Sequence, residues 1–173
     1  MKMYKIDKKG FTLVELLAVI VVLAIVMGLA VVGISSVLEN TRKSAFAADA
    51  KTFLAGAHSL VQADEAATLL GGTAKYAPSC AGKAGSTDTK TINLADIPLD
   101  GGKIATDQKS PYGNKYQAAS KITVTSNVES TTGKCTLTYK IYLTDGSWAI
   151  GTASNGVEES ALAADKDVKL LTQ

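Results

Sequence analysis

The chain has 173 residues, of which 46% are hydrophobic and 20% charged, enough for one ordinary domain. Its net charge of +2 is a composite: Lys2, Lys5, Lys8 and Lys9 against Asp7 put +3 on the first ten residues and leave −1 for the rest. A near-neutral remainder has no broad electrostatic claim on nucleic acid or on an anionic bilayer, which argues against a nucleic-acid partner.

The first predicted element follows that basic leader. From Phe11 to Ile34 the only strongly polar side chains are Thr12 and Glu15. Twenty-four helical residues span about 36 Å, enough to cross a hydrocarbon core. Positive charge before the run places the N-terminus in the cytoplasm and everything after Ser35 outside. A cleaved secretory signal competes with this reading, but the run is long for an apolar signal core, and the helical pattern continues beyond it. The carboxylate needs its own explanation. An isolated charge in lipid costs a few kcal/mol, on the order of 3, even in favourable settings, so Glu15 requires a partner or a proton. A plain anchor with Glu15 protonated or reaching to the interface is the competing reading.

Lys8-Lys9-Gly10-Phe11-Thr12-Leu13-Val14-Glu15-Leu16-Leu17 resembles the prepilin signature of type IV pilins and pseudopilins. The resemblance implies that a prepilin peptidase removes residues 1–10 by cutting between Gly10 and Phe11, and that the new N-terminus, Phe11, is N-methylated. It further implies that in a homo-oligomeric helical filament Glu15 of one subunit meets the Phe11 amine of its neighbour. Such a pair neutralises both charges and fixes register, because a buried pair broken on one side costs about 3–5 kcal/mol. The family often carries a proline in this helix; this chain has none there.

From residue 35 to residue 70 the pattern turns amphipathic, with Leu38, Ala45, Phe46, Ala50, Phe53, Leu54, Ala57, Leu60 and Val61 recurring at spacings of three and four. The helix therefore continues, and Gly71-Gly72 supplies the stop. Residues 71–120 hold all three prolines and no sustained period, and read as a connecting loop region with a short strand near Thr91–Leu94. Residues 121–151 alternate with period two, through Ile122, Val124 and Val128 and then Cys135, Leu137, Tyr139, Ile141 and Leu143. Asp145-Gly146 suits a two-residue hairpin turn that returns through Trp148 and Ile150. An antiparallel meander follows, with the stripe from Cys135 to Leu143 packed on Phe46, Phe53, Leu54 and Leu60. The tail, residues 152–173, suits a short helix or an edge strand around Val168, Leu170 and Leu171. The expected fold class is α+β, a long N-terminal helix packed against an antiparallel sheet, as the pilin resemblance also implies.

Cys80 and Cys135 are the only cysteines, and outside the cytoplasmic membrane a disulfide between them can persist. Two separate thiols are the alternative; the spacing departs from the family's familiar clamp on a C-terminal loop. Ser110-Pro111-Tyr112-Gly113-Asn114-Lys115-Tyr116 resembles the Asp-Pro-Trp-Gly-Asn-Pro-Tyr motif that precedes a calcium loop in major pseudopilins. Here Ser110 and Lys115 replace two of its positions and Gln117–Lys121 brings no carboxylate, so a turn with aromatic packing is the reading. His58 stands alone on the helix as a structural or solvated group. No catalytic constellation, metal-ligand spacing or cofactor motif is evident, so no enzyme is expected. Tyr76, Tyr112 and Tyr116 with Lys75, Lys109, Lys115 and Lys121 are candidates for a basic aromatic patch, against simple scatter.

The function expected from these readings is a structural pilin. It is a single-pass precursor in the cytoplasmic membrane, handed by the peptidase and the assembly machinery to a cell-surface filament for adhesion to host surfaces or other cells, twitching motility, aggregation or biofilm formation. A pseudopilin of a type II secretion system or a competence filament is the alternative within the family. A single-pass protein with an extracellular binding domain and no polymerisation is the alternative outside it.

Overall fold

The computed structural model describes residues 12–99 and 103–171, and the chain divides into two compact units, residues 1–39 and residues 40–173. One helix, α1 (Leu13–Leu69), contributes to both. No proline interrupts it, so its backbone ladder is unbroken. It ends in a Schellman motif: Gly72 N–H reaches the Ala67 carbonyl at 3.0 Å and Gly71 N–H the Thr68 carbonyl at 3.0 Å, with Gly71 at φ +90°. Only glycine takes that left-handed position without strain.

In the second unit α1 buries one stripe, Phe46, Ala50, Phe53, Leu54, Ala57 and Val61, the three-and-four spacing of a single helix face. It lies on an antiparallel sheet ordered β1 (Thr87–Asn93), β4 (Lys121–Val128), β5 (Cys135–Thr144), β6 (Trp148–Ile150) and β8 (Val168–Leu170), with β7 (Val157–Glu158) also paired to β5. A separate two-stranded sheet pairs β2 (Pro98–Leu99) with β3 (Lys103–Ile104). Register places Ile92 beside Ile122 and Ile122 beside Ile141, so the buried residues of three strands form rows under the helix. Leu137 is only partly buried, and Tyr139, Ile141 and Leu143 carry the β5 contribution. Leu60 is likewise peripheral, whereas Ile150 and Val168 from the later strands are core. Each fully buried Phe, Leu or Ile contributes about 1.5–3 kcal/mol by leaving water. The opposite face of the sheet carries threonines, and Thr89 and Thr125 share a cross-strand hydroxyl bond of 3.2 Å. The fold is α+β and pilin-like.

Three details differ from the sequence reading. The strand expected near Thr91–Leu94 runs over Thr87–Asn93 and forms an edge of the main sheet; its outward threonines mask the alternation that marks β4. The hairpin turn after β5 has Gly146 and Ser147 as its central residues, because Asp145 N–H already bonds the Trp148 carbonyl at 3.1 Å. Gly146, at φ +92°, supplies the positive φ that such a turn demands at its first central position. The tail contains both a short helix, α2 (Ala164–Asp167), and the edge strand β8.

A strap from Tyr76 to Cys80 is fastened over this unit by side chains. Asp64 of α1 accepts the Tyr76 and Ala77 N–H groups at 2.6 and 2.8 Å. Asp88 of β1 accepts Ser79 N–H at 2.7 Å, and the buried Ser126 hydroxyl donates to the Ser79 carbonyl at 2.8 Å. Cys80 is then disulfide-bonded to Cys135 across 55 residues; on the chain-entropy model such a loop is worth about 4 kcal/mol. Burial opposes the Asp64 charge, yet the Ala77, Tyr76 and Lys75 N–H groups outweigh it and hold its carboxyl below the usual range. The Ser79 N–H does the same for Asp88. Asp49 acts in the opposite sense, since burial raises it against the lowering bond from Tyr116.

A Cβ on Gly56 would stand 2.5 Å from Ile97 Cγ2 and 3.1 Å from the Pro98 carbonyl. Gly56→Ala therefore loses more to overlap than it gains in helix propensity, a net destabilisation of about 1 kcal/mol in urea unfolding. Carboxylates held low in the folded state add stability that is present above their unfolded pKa of about 3.9 and lost as pH falls through the folded value. The melting temperature should therefore drop below about pH 4, and Asp64→Asn/Asp88→Asn should flatten that drop. The Asp49 contribution has the reverse sign, lost as pH rises through its folded value, so Asp49→Asn should steepen the same limb.

Candidate functional site

The feature of the first unit that demands explanation is its surface. Leu13, Leu17, Ile20, Leu23 and Met27 are between 49% and 81% exposed, and the most apolar 18-residue window of α1 has no buried residue. A helix apolar on every side needs an apolar medium or other helices around it. By length and composition this one is able to cross a membrane.

At the start of this surface Thr12 and Glu15 form a reciprocal cap. Glu15 N–H donates to Thr12 Oγ1 at 3.2 Å, while Glu15 Oε2 accepts from Thr12 N–H and from Thr12 Oγ1, both at 3.1 Å. This is the Ser/Thr-x-x-Glu capping box, in which two otherwise unpartnered helix-end donors are satisfied. The Thr-Leu-Val-Glu spacing announces it in the sequence, where Glu15 otherwise reads as a charge that needs a partner or a proton. Gly10 and Phe11, the positions expected to flank a processing cut, lie outside the described residues.

The remaining candidates have structural partners in the second unit. His58 Nε2 lies 2.8 Å from Glu159 Oε2, and its ring stacks on Tyr139 at 3.8 Å between centroids, joining α1 to the turn before α2. Ser110 is buried and donates to Asp145 Oδ2 at 2.6 Å, so the Ser-Pro-Tyr-Gly-Asn motif serves as a turn latched to the β5–β6 hairpin. Among the described residues no three His, Cys, Asp or Glu side chains gather as a metal site would require. The three candidate patch tyrosines have different partners. Tyr116 is buried and donates to Asp49 Oδ2 at 2.6 Å, its phenol pushed well above its ordinary value by burial first and that bond second. Tyr76 lies under Lys75, and Tyr112 stacks on Trp148.

Residues 6–31 match the family model described as the prokaryotic N-terminal methylation motif. The chain carries the type IV prepilin signature. The match spans the end of the leader, the capping box and most of the exposed apolar run, and it supports a protein of the type IV pilin or pseudopilin kind. Motif and apolar helix together fit a membrane-anchored precursor and a surface filament. No curated protein and no solved structure matches the chain significantly.

Thr12→Val removes both hydroxyl bonds of the cap while keeping the carboxylate. It should cost about 1 kcal/mol of helix order at this end, read as faster amide exchange at Val14 and Glu15 in detergent micelles, with exchange around Phe53 unchanged.

Proposed function

We propose that the chain is a structural subunit of a type IV pilus-like extracellular filament that polymerises through its N-terminal apolar helix. The observation that carries this reading is an apolar helix surface, exposed on all sides, that begins with one carboxylate inside a prepilin signature. In the precursor, lipid covers that surface; in the filament, the same helices of neighbouring subunits do. The basic leader stays in the cytoplasm and the second unit lies outside. Prepilin peptidase cuts between Gly10 and Phe11, and the Phe11 amine is methylated. Residues 11–34 then form the filament core, and the unit from residue 40 onward forms its coat, available for adhesion, motility, aggregation or biofilm formation. No role of this kind calls for catalysis.

The capping box gives Glu15 two tasks. In the membrane-held subunit its carboxylate is satisfied locally by Thr12; in the filament it exchanges that cap for the Phe11 amine of a neighbour. The exchange lowers the cost of holding a carboxylate near lipid before assembly. It also means that a defect at Glu15 has two causes to separate.

Intact-mass spectrometry of material sheared from cells tests the main reading. A chain beginning at Phe11 with one added methyl is the expected result; a chain beginning at Met1 and found only in membranes would sink it. Glu15→Gln keeps a capping side chain at the third helical position but removes the charge. It should still be processed yet yield little sheared filament, by a factor of about ten or more, in line with loss of a buried ion pair. Thr12→Val should assemble far better than Glu15→Gln. Normal assembly of Glu15→Gln would reduce Glu15 to a helix cap and favour the non-polymerising anchor.

A further inference from the structure

The second unit begins with a basic and aromatic platform at the margin of its core, where Tyr112 and Trp148 pack against the buried cluster. Trp148 and Tyr112 stack with centroids 4.4 Å apart and planes 10° from parallel. The Arg42 guanidinium lies 6.0 Å from the Tyr112 centroid and Lys43 Nζ 5.6 Å from that of Trp148. Both rings are half-buried, with the Tyr112 hydroxyl turned inward and buried; Lys43 is half-buried and Arg42 is exposed. At the base of the Tyr112 turn Lys109 and Lys115, both exposed, face each other across an antiparallel bridge, so their side chains leave on the same side.

The platform is held rigidly from behind. Asp145 is buried; its Oδ2 accepts from Ser110, and its Oδ1 accepts the N–H groups of Ser147 and Trp148 at 2.9 and 2.7 Å. Asn114 Nδ2 donates to Ser147 Oγ at 3.3 Å and ties the Tyr112 turn to the Trp148 hairpin. The Asp145 charge is thus turned inward, and the charges around the rings are Arg42, the half-buried Lys43 and the facing lysine pair, with Glu39 one helical turn before them.

We propose that this platform seats on the anionic phospholipid headgroups of the bilayer that holds the subunit before assembly. Charge and chemistry point to that occupant, since Trp and Tyr favour the membrane interface and clustered Lys and Arg favour anionic headgroups. Chain length points there as well. Arg42 is four residues beyond Leu38, the last large apolar residue of the exposed run, and four residues reach at most about 14 Å however they are arranged. The platform is therefore tethered close to the headgroup layer. Extraction into a filament would have to break this contact, making release from the membrane sensitive to lipid charge and to salt. The proposal rests on the membrane-held precursor described above.

Trp148 is the only tryptophan in the chain, so its fluorescence reports the platform alone. The full chain is reconstituted in vesicles of phosphatidylglycerol and phosphatidylcholine, or of phosphatidylcholine only, each with a brominated fraction placed just below the headgroups. Flotation with the vesicles after a carbonate wash reports insertion independently. The expected result is strong quenching in anionic vesicles that weakens in neutral ones and at high salt. Arg42→Gln/Lys43→Gln should lose that quenching while still floating, and Lys109→Gln/Lys115→Gln should weaken it in the same direction. Quenching that is absent, or equal in all vesicles and variants, would overturn the proposal and leave the membrane-held precursor intact. Failure to float would overturn both. A Trp148 emission shift with duplex DNA and none with anionic vesicles would assign the platform to nucleic acid instead.

Discussion

An apolar helix surface that the chain itself does not cover is the constraint from which the rest follows. No residue in the most apolar window of α1 is buried, and leaving such a surface in water would cost about 25 cal/mol for every Å². A surface of that kind calls for lipid or other helices around it. The carboxylate of Glu15 is placed where a local cap holds it. In the proposed filament, Glu15 is tolerable in the monomer because Thr12 partners it and useful in the assembly because that cap is exposed and exchangeable.

The same helix meets a different requirement beyond residue 40. There it supplies one face to a core and leaves the others in water, and the sheet answers with rows of Ile, Val and Tyr in register. Small residues control how closely the other segments approach. Gly56 admits Ile97 and Pro98 against the helix, and the alanines at positions 50 and 57 keep the stripe shallow between the large side chains. The region between helix and sheet has little periodic structure, so its fastening falls to side chains. Asp64, Asp88, Ser126 and the Cys80–Cys135 bond each hold a different point of one short strap. Both carboxylates act as acceptors for backbone N–H groups that no strand or helix would satisfy.

Much of this was legible in the residues. An apolar run with a basic flank, the prepilin-like motif, the change to an amphipathic pattern, the diglycine stop and the alternation of β4 and β5 are all local or periodic signals. They survive averaging over tertiary context because spacing alone encodes them. The capping box is equally local, carried by the spacing of Thr12 and Glu15 alone. Trp148 and the Ser-Pro-Tyr-Gly-Asn motif were each visible, but nothing in sequence announces that residues 36 apart stack as one platform.

By itself the sequence determined the long helix and its stop, the strands β4 and β5, and that the first half of the helix is apolar on every side, because those properties depend on neighbours within a few positions. Only the tertiary structure decided which side chains meet. Thr87–Asn93 becomes a sheet edge because β4 offers it a partner, the β5–β6 turn shifts by one residue because Asp145 is needed underneath it, and two distant cysteines join because the strap and β5 bring them together. Contacts of that range are set by the packing of the whole unit, and no short window of residues contains them.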